Sequence, residues 1–183
     1  MKHLVFLLEE ESAKALLENL LPRIFQNITF KCIPFEGKSD LEGNFVKKLK
    51  GYNVPNTFFV ILRDQDSADC YVIKNNLKEK CVDASKPDTL IRIACQELES
   101  WYFGSLVSVE KVLNISNLSH YSIDKRYRIP DSIVNPKQEL KKITNQKYRQ
   151  VSSSREIGNI MDYRNNTSKS FNVFIEGLKR IIE

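Results

Sequence analysis

The sequence predicts an α/β domain, a parallel sheet of about four strands flanked by helices, followed by a helical extension. Three observations carry this reading. Short apolar, β-branched runs alternate with helix-period segments through the first hundred residues; acidic residues stand where those runs stop; and strand signals cease after about residue 104. Residues 1–104 are therefore expected to form the α/β core and residues 105–183 a helical extension packed on it.

Leu4 to Leu8 is the first apolar run, and it passes into Ala13, Leu16, Leu17, Leu20 and Leu21, which repeat at helical spacing. Thr29 to Phe35 reads as the second strand. Gly37-Lys38-Ser39-Asp40-Leu41-Glu42 then opens a helix, with Ser39 and Glu42 spaced as a capping box and Phe45, Val46 and Leu49 as its apolar face. Gly51 and Pro55 end it. Thr57 to Leu62 has almost no polar interruption, the pattern of a strand covered on both faces, so it should be central. A helix from about Cys70 to Lys80 follows, with Val72, Ile73 and Leu77 inward, and Leu90 to Cys95 is the fourth strand. In the extension, Asn135-Pro136 starts a helix with Gln138 as reciprocal capping partner. Ser168 to Ile182 forms another, with Phe171, Phe174, Ile175, Leu178 and Ile182 facing the core.

The composition narrows the chemistry. A chain of 183 residues, 42% hydrophobic, is long enough to bury a real core. Its longest apolar stretch, His3 to Leu8, is far short of the roughly 20 residues that span a bilayer, and the expected location is the cytoplasm, with no membrane partner. Cys32, Cys70, Cys81 and Cys95 include no CxxC pair and read as reduced, buried thiols. With only His3 and His120, zinc sites and histidine-based triads have little to work with, which leaves carboxylates. Charge is uneven: residues 125 to 155 hold nine Lys or Arg against two acids, a net +7, so the rest of the chain carries −2 of the total +5. Such a tract suits a polyanion or makes a solvated helix face. Lys137, Lys141, Lys142, Lys147 and Arg149 are the candidates for gripping nucleic-acid backbone, with Lys38 beside the second strand; contacts of that kind confer affinity without sequence choice.

Ligands of doubly wound sheets bind beyond the carboxyl ends of the strands. The first strand stops at Glu9-Glu10-Glu11 and the third at Asp64-Gln65-Asp66, with Ser67 and Asp69 next. On an extended backbone, Asp64 and Asp66 project to one side, and Glu9 joins them if the first and third strands are neighbours. Carboxylates that close repel one another unless a cation shares the site, and Mg²⁺ or Mn²⁺ is the hard ion that fits. The plainer reading is helix capping and dipole compensation, since Asp and Glu favour first turns for those reasons alone. Glu10 and Asp69 are further candidates at the metal, and Glu97 and Glu99, past the fourth strand, are candidates for a second ion. Trp101 and Tyr102 read as packing residues.

These motifs resemble the Toprim fold shared by topoisomerases, bacterial primases and nucleases of the overcoming-lysogenization-defect (OLD) type. There a glutamate ends the first strand and an Asp-x-Asp ends the third, as Leu7-Leu8-Glu9 and Asp64-Gln65-Asp66 do here. The residue after that glutamate is often glycine, whereas this chain has Glu10. A closer likeness, over nearly the whole chain, is to the bacterial family called domain of unknown function four-two-seven-six. It rests on Leu8-Glu9-Glu10, Gly37-Lys38-Ser39-Asp40-Leu41, the run from Asp64 to Cys70, the run from Arg92 to Trp101, Pro136-Lys137 and Ser168-x-Ser170-Phe171. The resemblance implies a Toprim-like Mg²⁺-dependent nuclease with Glu9, Asp64 and Asp66 as catalytic and metal-binding residues, acting on DNA or RNA. It also implies pairing with an AAA or ABC-type ATPase in phage defence, and leaves a homo-oligomer open. Two rivals stand beside this reading. One is a non-catalytic Toprim-like subunit that binds an ATPase or nucleic acid; the other is a receiver-like signalling domain, although the Asp-Asp pair, hydroxyl residue and Lys-Pro of receivers have no counterpart in the sequence.

Overall fold

The computed structural model describes residues 2–183. Four strands, β1 (His3–Leu8), β2 (Thr29–Pro34), β3 (Thr57–Asp64) and β4 (Leu90–Ala94), form one parallel sheet in the order β2-β1-β3-β4. Helices α1 (Glu11–Ile24), α2 (Lys38–Gly51) and α3 (Cys70–Asp83) cross between them. The extension supplies α4 (Glu99–Phe103), α5 (Leu106–Leu113), α6 (Pro136–Ile143), α7 (Gln150–Ile160) and α8 (Lys169–Ile182), with 3₁₀ turns at Leu118–Ile123 and Pro130–Ser132. This is the Toprim-like, Rossmann-like arrangement expected, a four-stranded parallel sheet with a C-terminal helical extension.

Period-two alternation explains the layers, because successive side chains of a strand point to opposite faces. Val5 and Leu7 of β1, with Phe59 and Ile61 of β3, pack against Phe45 and Leu49 of α2 and Ile73 and Leu77 of α3. Leu4, Phe6 and Leu8, with Val60 and Leu62, face the other way onto α1, α4, α7 and α8. The whole extension lies on this second side. There α7 packs against α1, and Gly158 makes the approach possible: a Cβ at that position would sit 2.6 Å from the Leu16 carbonyl oxygen. Trp101 is fully buried between Phe171 and Phe174, its indole N–H donated to Ser170 Oγ at 3.0 Å, as its reading as a packing residue requires.

Several local expectations are corrected. The capping box of Ser39 and Glu42 does not form: α2 starts two residues earlier, after Gly37, whose φ of +93° glycine tolerates, and Glu42 instead pairs with Arg63 Nε at 2.8 Å. Asp40 takes up the Glu36 N–H at 2.9 Å, outside the helix. In α3, Val72 points to solvent at 57% exposure, because Ile73, Leu77 and Cys81 already supply the buried stripe, and the helix continues three residues past Lys80 to Asp83. Asn135 does precede α6, but in a left-handed conformation (φ 52°) and without a side-chain cap; the Lys137 N–H is taken by Glu97 at 2.8 Å. Ser168 caps α8 as its sequence suggests, accepting the Phe171 N–H at 3.2 Å.

A candidate acidic site at the carboxyl edge of the sheet

β1 and β3 are hydrogen-bonded neighbours, with Leu8 level with Leu62, so the chain reaches Glu9 beside the last residues of β3. Glu9 is buried (8% exposed) and its Oε2 accepts the Asp64 backbone N–H at 3.1 Å, a tie between residues 55 apart in sequence. Arg63, almost fully buried below, holds the corner through its guanidinium, which donates to the Asp64 carbonyl at 2.8 Å. Burial raises the Glu9 carboxyl above its ordinary value against the opposing pull of the Asp64 N–H and Arg63, while Asp66 and Glu10 push it further up.

Asp64 ends β3, level with Ala94 of β4. The residue keeps an edge in solvent, but its carboxyl lies deep among protein atoms. Burial raises its pKa well above the usual range, and the nearby Glu99, Glu9 and Glu10 add to the rise. Glu99, in the first turn of α4, is 1% exposed; its Oε1 accepts from the Tyr148 hydroxyl at 2.9 Å and its Oε2 is buried with no hydrogen-bond partner. Burial pushes Glu99 up to about 7, despite the opposing influence of Lys137 and Tyr148.

Lys137 enters from α6 in the extension. Burial pulls its ammonium down, but Glu99, Glu10, Glu97 and Asp64 together outweigh that and raise it. Its Nζ lies 3.7 Å from Glu10 Oε2, which also takes hydrogen bonds from Gln150 of α7 and, at 3.4 Å, Ser12. One half-buried cation thus stands among several carboxylates that would otherwise repel each other.

Not all the expected residues join this cluster. Asp66 does not follow Asp64 on an extended backbone: β3 ends at Asp64, and Asp66 adopts φ 53° in a turn whose N–H bonds the Gln96 carbonyl at 2.7 Å. Its carboxylate pairs with Lys38 Nζ at 2.9 Å, although it remains near enough to Glu9 to influence it. Asp69 is the N-cap of α3, its Oδ1 accepting from Tyr71 N at 2.8 Å and Val72 N at 3.0 Å. Glu97 is occupied by the α6 N-terminus. Among the basic residues, Lys137 lies inside the cluster, Lys38 at its rim and Arg149 next to Gln150. Lys141 is partly buried, and Lys142, Lys147 and Arg149 are exposed. Tyr148 and Gln150 were missed by sequence reasoning; neither carries a spacing signal, and each reaches the acids only through the folding of the extension.

Among the described residues, no three His, Cys, Asp or Glu side chains are placed to hold one metal ion together. Glu9, Glu10, Asp66 and Glu97 each accept from protein donors. The chemistry of the set nevertheless suits a hard divalent cation. Its donors are all oxygens, Glu99 Oε2 lacks a partner, and burial and mutual repulsion raise Asp64 and Glu99, strain that a cation relieves. Magnesium commonly needs only one or two carboxylates, completing its shell with water and phosphate oxygens, so a preassembled three-carboxylate cage is not required.

Residues 8–179 match the family model described as Domain of unknown function (DUF4276). Among solved structures, the fold is similar to the C-terminal region of the Burkholderia pseudomallei OLD protein, with a TM-score of 0.55 and 14% identity over 98% of this chain and 96% of that one; at this identity the likeness speaks for the fold alone. No curated protein matches the chain. Among the described residues, no helix is long and apolar enough to cross a membrane.

Proposed function

For a chain that belongs to the DUF4276 family and carries its acids on a Toprim-like sheet, we propose metal-dependent cleavage of nucleic-acid phosphodiester bonds. The observation that carries this reading is the buried, partnerless Glu99 Oε2 beside Asp64, at the carboxyl edge of the two central strands and next to Lys137. Asp64 and Glu99 are the residues that would hold Mg²⁺ or Mn²⁺, with Asp66 joining once Lys38 lets it go and Glu9 either completing the shell or serving in proton transfer. When bound, such an ion polarises a phosphoryl oxygen and lowers the pKa of an attacking water.

The chain's own groups do the rest. Lys137 sets an ammonium against the negative charge that develops on the phosphoryl oxygens, and Lys38, exposed at the rim, meets the entering backbone. Lys141, one helical turn beyond Lys137, extends this line along α6, while Lys142, Lys147 and Arg149 offer exposed cations to the flanking phosphates. Glu9, raised by burial, is suited to proton transfer at the scissile phosphate. Glu10 and Gln150 orient the cluster. The further role, effector of a phage-defence pair with an AAA or ABC-type ATPase in the cytoplasm, rests on the habits of similar families and not on a residue.

Cleavage of single- and double-stranded DNA and of RNA, measured with Mg²⁺ or Mn²⁺ and with chelator, tests the reading. The expected result is metal-dependent cleavage that Asp64→Ala reduces at least about a hundredfold, the scale on which losing a key electrostatic group acts. One observation favours a second reading, a non-catalytic subunit: Lys38 and Lys137 already neutralise part of the acidic charge. Nucleic-acid binding without cleavage in every condition, including with any ATPase encoded beside it co-expressed, selects it.

A further inference from the structure

Outside the acidic site, the four cysteines divide into two classes. Cys32 and Cys81 are buried on opposite faces of the sheet, and burial pushes the Cys32 thiol up to about 12. Cys70 and Cys95 are partly exposed and line one surface cavity of about 330 Å³, together with Tyr71, Lys74, Lys169 and Val173. Cys70 is near enough to Cys95 to raise its thiol. Separate elements bring them there: Cys70 opens α3 behind the Asp69 cap, and Cys95 follows β4 with its N–H donated to Ser170 Oγ at 3.3 Å. The loops in front of them are already laced together, Asp66 N–H to the Gln96 carbonyl at 2.7 Å and Gln96 N–H to Gln65 Oε1 at 3.1 Å.

We propose that Cys70 and Cys95 form an oxidative modification site, closing to an intramolecular disulfide in response to hydrogen peroxide. The cavity admits a small oxidant; burial and Asp131 on its wall push the Cys95 thiol up to about 11, so the first attack falls to Cys70 at the start of α3 and Cys95 resolves it. One thiolate attacks a peroxide oxygen: an S–O bond forms, the O–O bond breaks, and the departing hydroxide takes up a proton to become water. The second sulfur then attacks the sulfenic acid, and hydroxide leaves with the remaining thiol proton as a second water. Two thiols lose two electrons and the peroxide gains them. Thiol exchange with a reductant such as glutathione reverses the bridge. Closure fastens the start of α3 to the end of β4, and so clamps the two turns that carry Asp66 and Glu97.

Intact-mass and peptide mapping of the full-length protein after peroxide treatment test this, independently of any chemistry at the carboxylates. The expected product is lighter by about 2 Da, the two hydrogens removed. Its linked peptide joins Cys70 to Cys95, the thiols titratable in denaturant fall from four to two, and reductant restores them. Hydrogen exchange at residues 65–69 and 95–98 slows in the oxidised form. Cys70→Ser and Cys95→Ser each abolish the linked peptide. A Cys32→Ser, Cys81→Ser double variant retains it, which excludes general unfolding as its source. Stepwise sulfinic acid on either cysteine, pairing with Cys32 or Cys81, or no mass change at peroxide levels that modify a free thiol overturns the proposal.

Discussion

The two faces of the sheet are built differently. On one, α2 and α3 make a single layer over an apolar cluster of Val5, Leu7, Phe59 and Ile61. On the other, the extension stacks α7 against α1 and sets α4 and α8 beneath the strands. This core mixes aromatic bulk with buried polar groups such as Tyr102 bonded to Ser154 at 2.7 Å, Tyr148 bonded to Glu99, and Asn166 bonded to the Trp101 carbonyl at 2.9 Å. The difference teaches where the site gets its character. From the thin side come Lys38, an exposed cation on Asp66, and Glu42, which braces Arg63; from the thick side come the buried Glu99, its phenol partner and Lys137.

Truncation of the thick side sharpens that contrast most. Trp101→Ala is expected to cost about 3–5 kcal/mol in denaturant unfolding, from lost burial, the cavity and the lost indole hydrogen bond to Ser170. Val72→Ala on the outer surface of α3 is expected to stay within about 0.5 kcal/mol of the parent. Equal losses would show that the two sides carry the fold alike.

The next effect is electrostatic. Glu99 titrates near 7 when folded, against 4.5 when unfolded. Between those values the folded protein keeps the proton that the unfolded chain releases, so stability falls as pH rises through the window and levels off above it. The decline attributable to Glu99 is up to about 3 kcal/mol. Glu99→Gln retains an acceptor for Tyr148 and removes the titration. Thermal denaturation from pH 4 to 8 is expected to show a flatter profile for the variant, and Mg²⁺ above pH 7 to stabilise the parent more. A parent profile already flat over this range would break the assignment.

The smallest effect belongs to the thin side. Lys38→Ala removes a half-exposed ion pair with Asp66, and its cost in stability is expected to be below about 1 kcal/mol and to vanish in high salt. If affinity for nucleic acid falls with it, Lys38 meets phosphate; if only stability moves, it does not.

How far these contrasts were readable beforehand depends on range. The alternation in β1 and β3 named both buried faces, and the helical stripe of α8 named Phe171, Phe174 and Leu178, because each pattern is local. Glu9 and Asp64 were legible as strand ends, and the neighbouring strands make their encounter a consequence of topology. The extended backbone expected at Asp66 gives way to a left-handed turn, because that turn depends on a bond to Gln96, thirty residues away. Asp69 carries both readings in the sequence, since a cap and a ligand look alike there; the structure adds that its Oδ1 caps α3.

By itself, then, the sequence determined the sheet, its covering helices and which carboxylates stand at its carboxyl edge. Strand and helix periodicities are written over a few consecutive residues, and parallel crossovers leave little freedom in where strand ends lie. Only the tertiary structure decided the state of those carboxylates. Burial of Glu99, the approach of Lys137 and Tyr148, and the diversion of Asp66 to Lys38 are set by groups remote along the chain. Electrostatic energy depends on distance and desolvation in the folded molecule, neither of which a spacing pattern records.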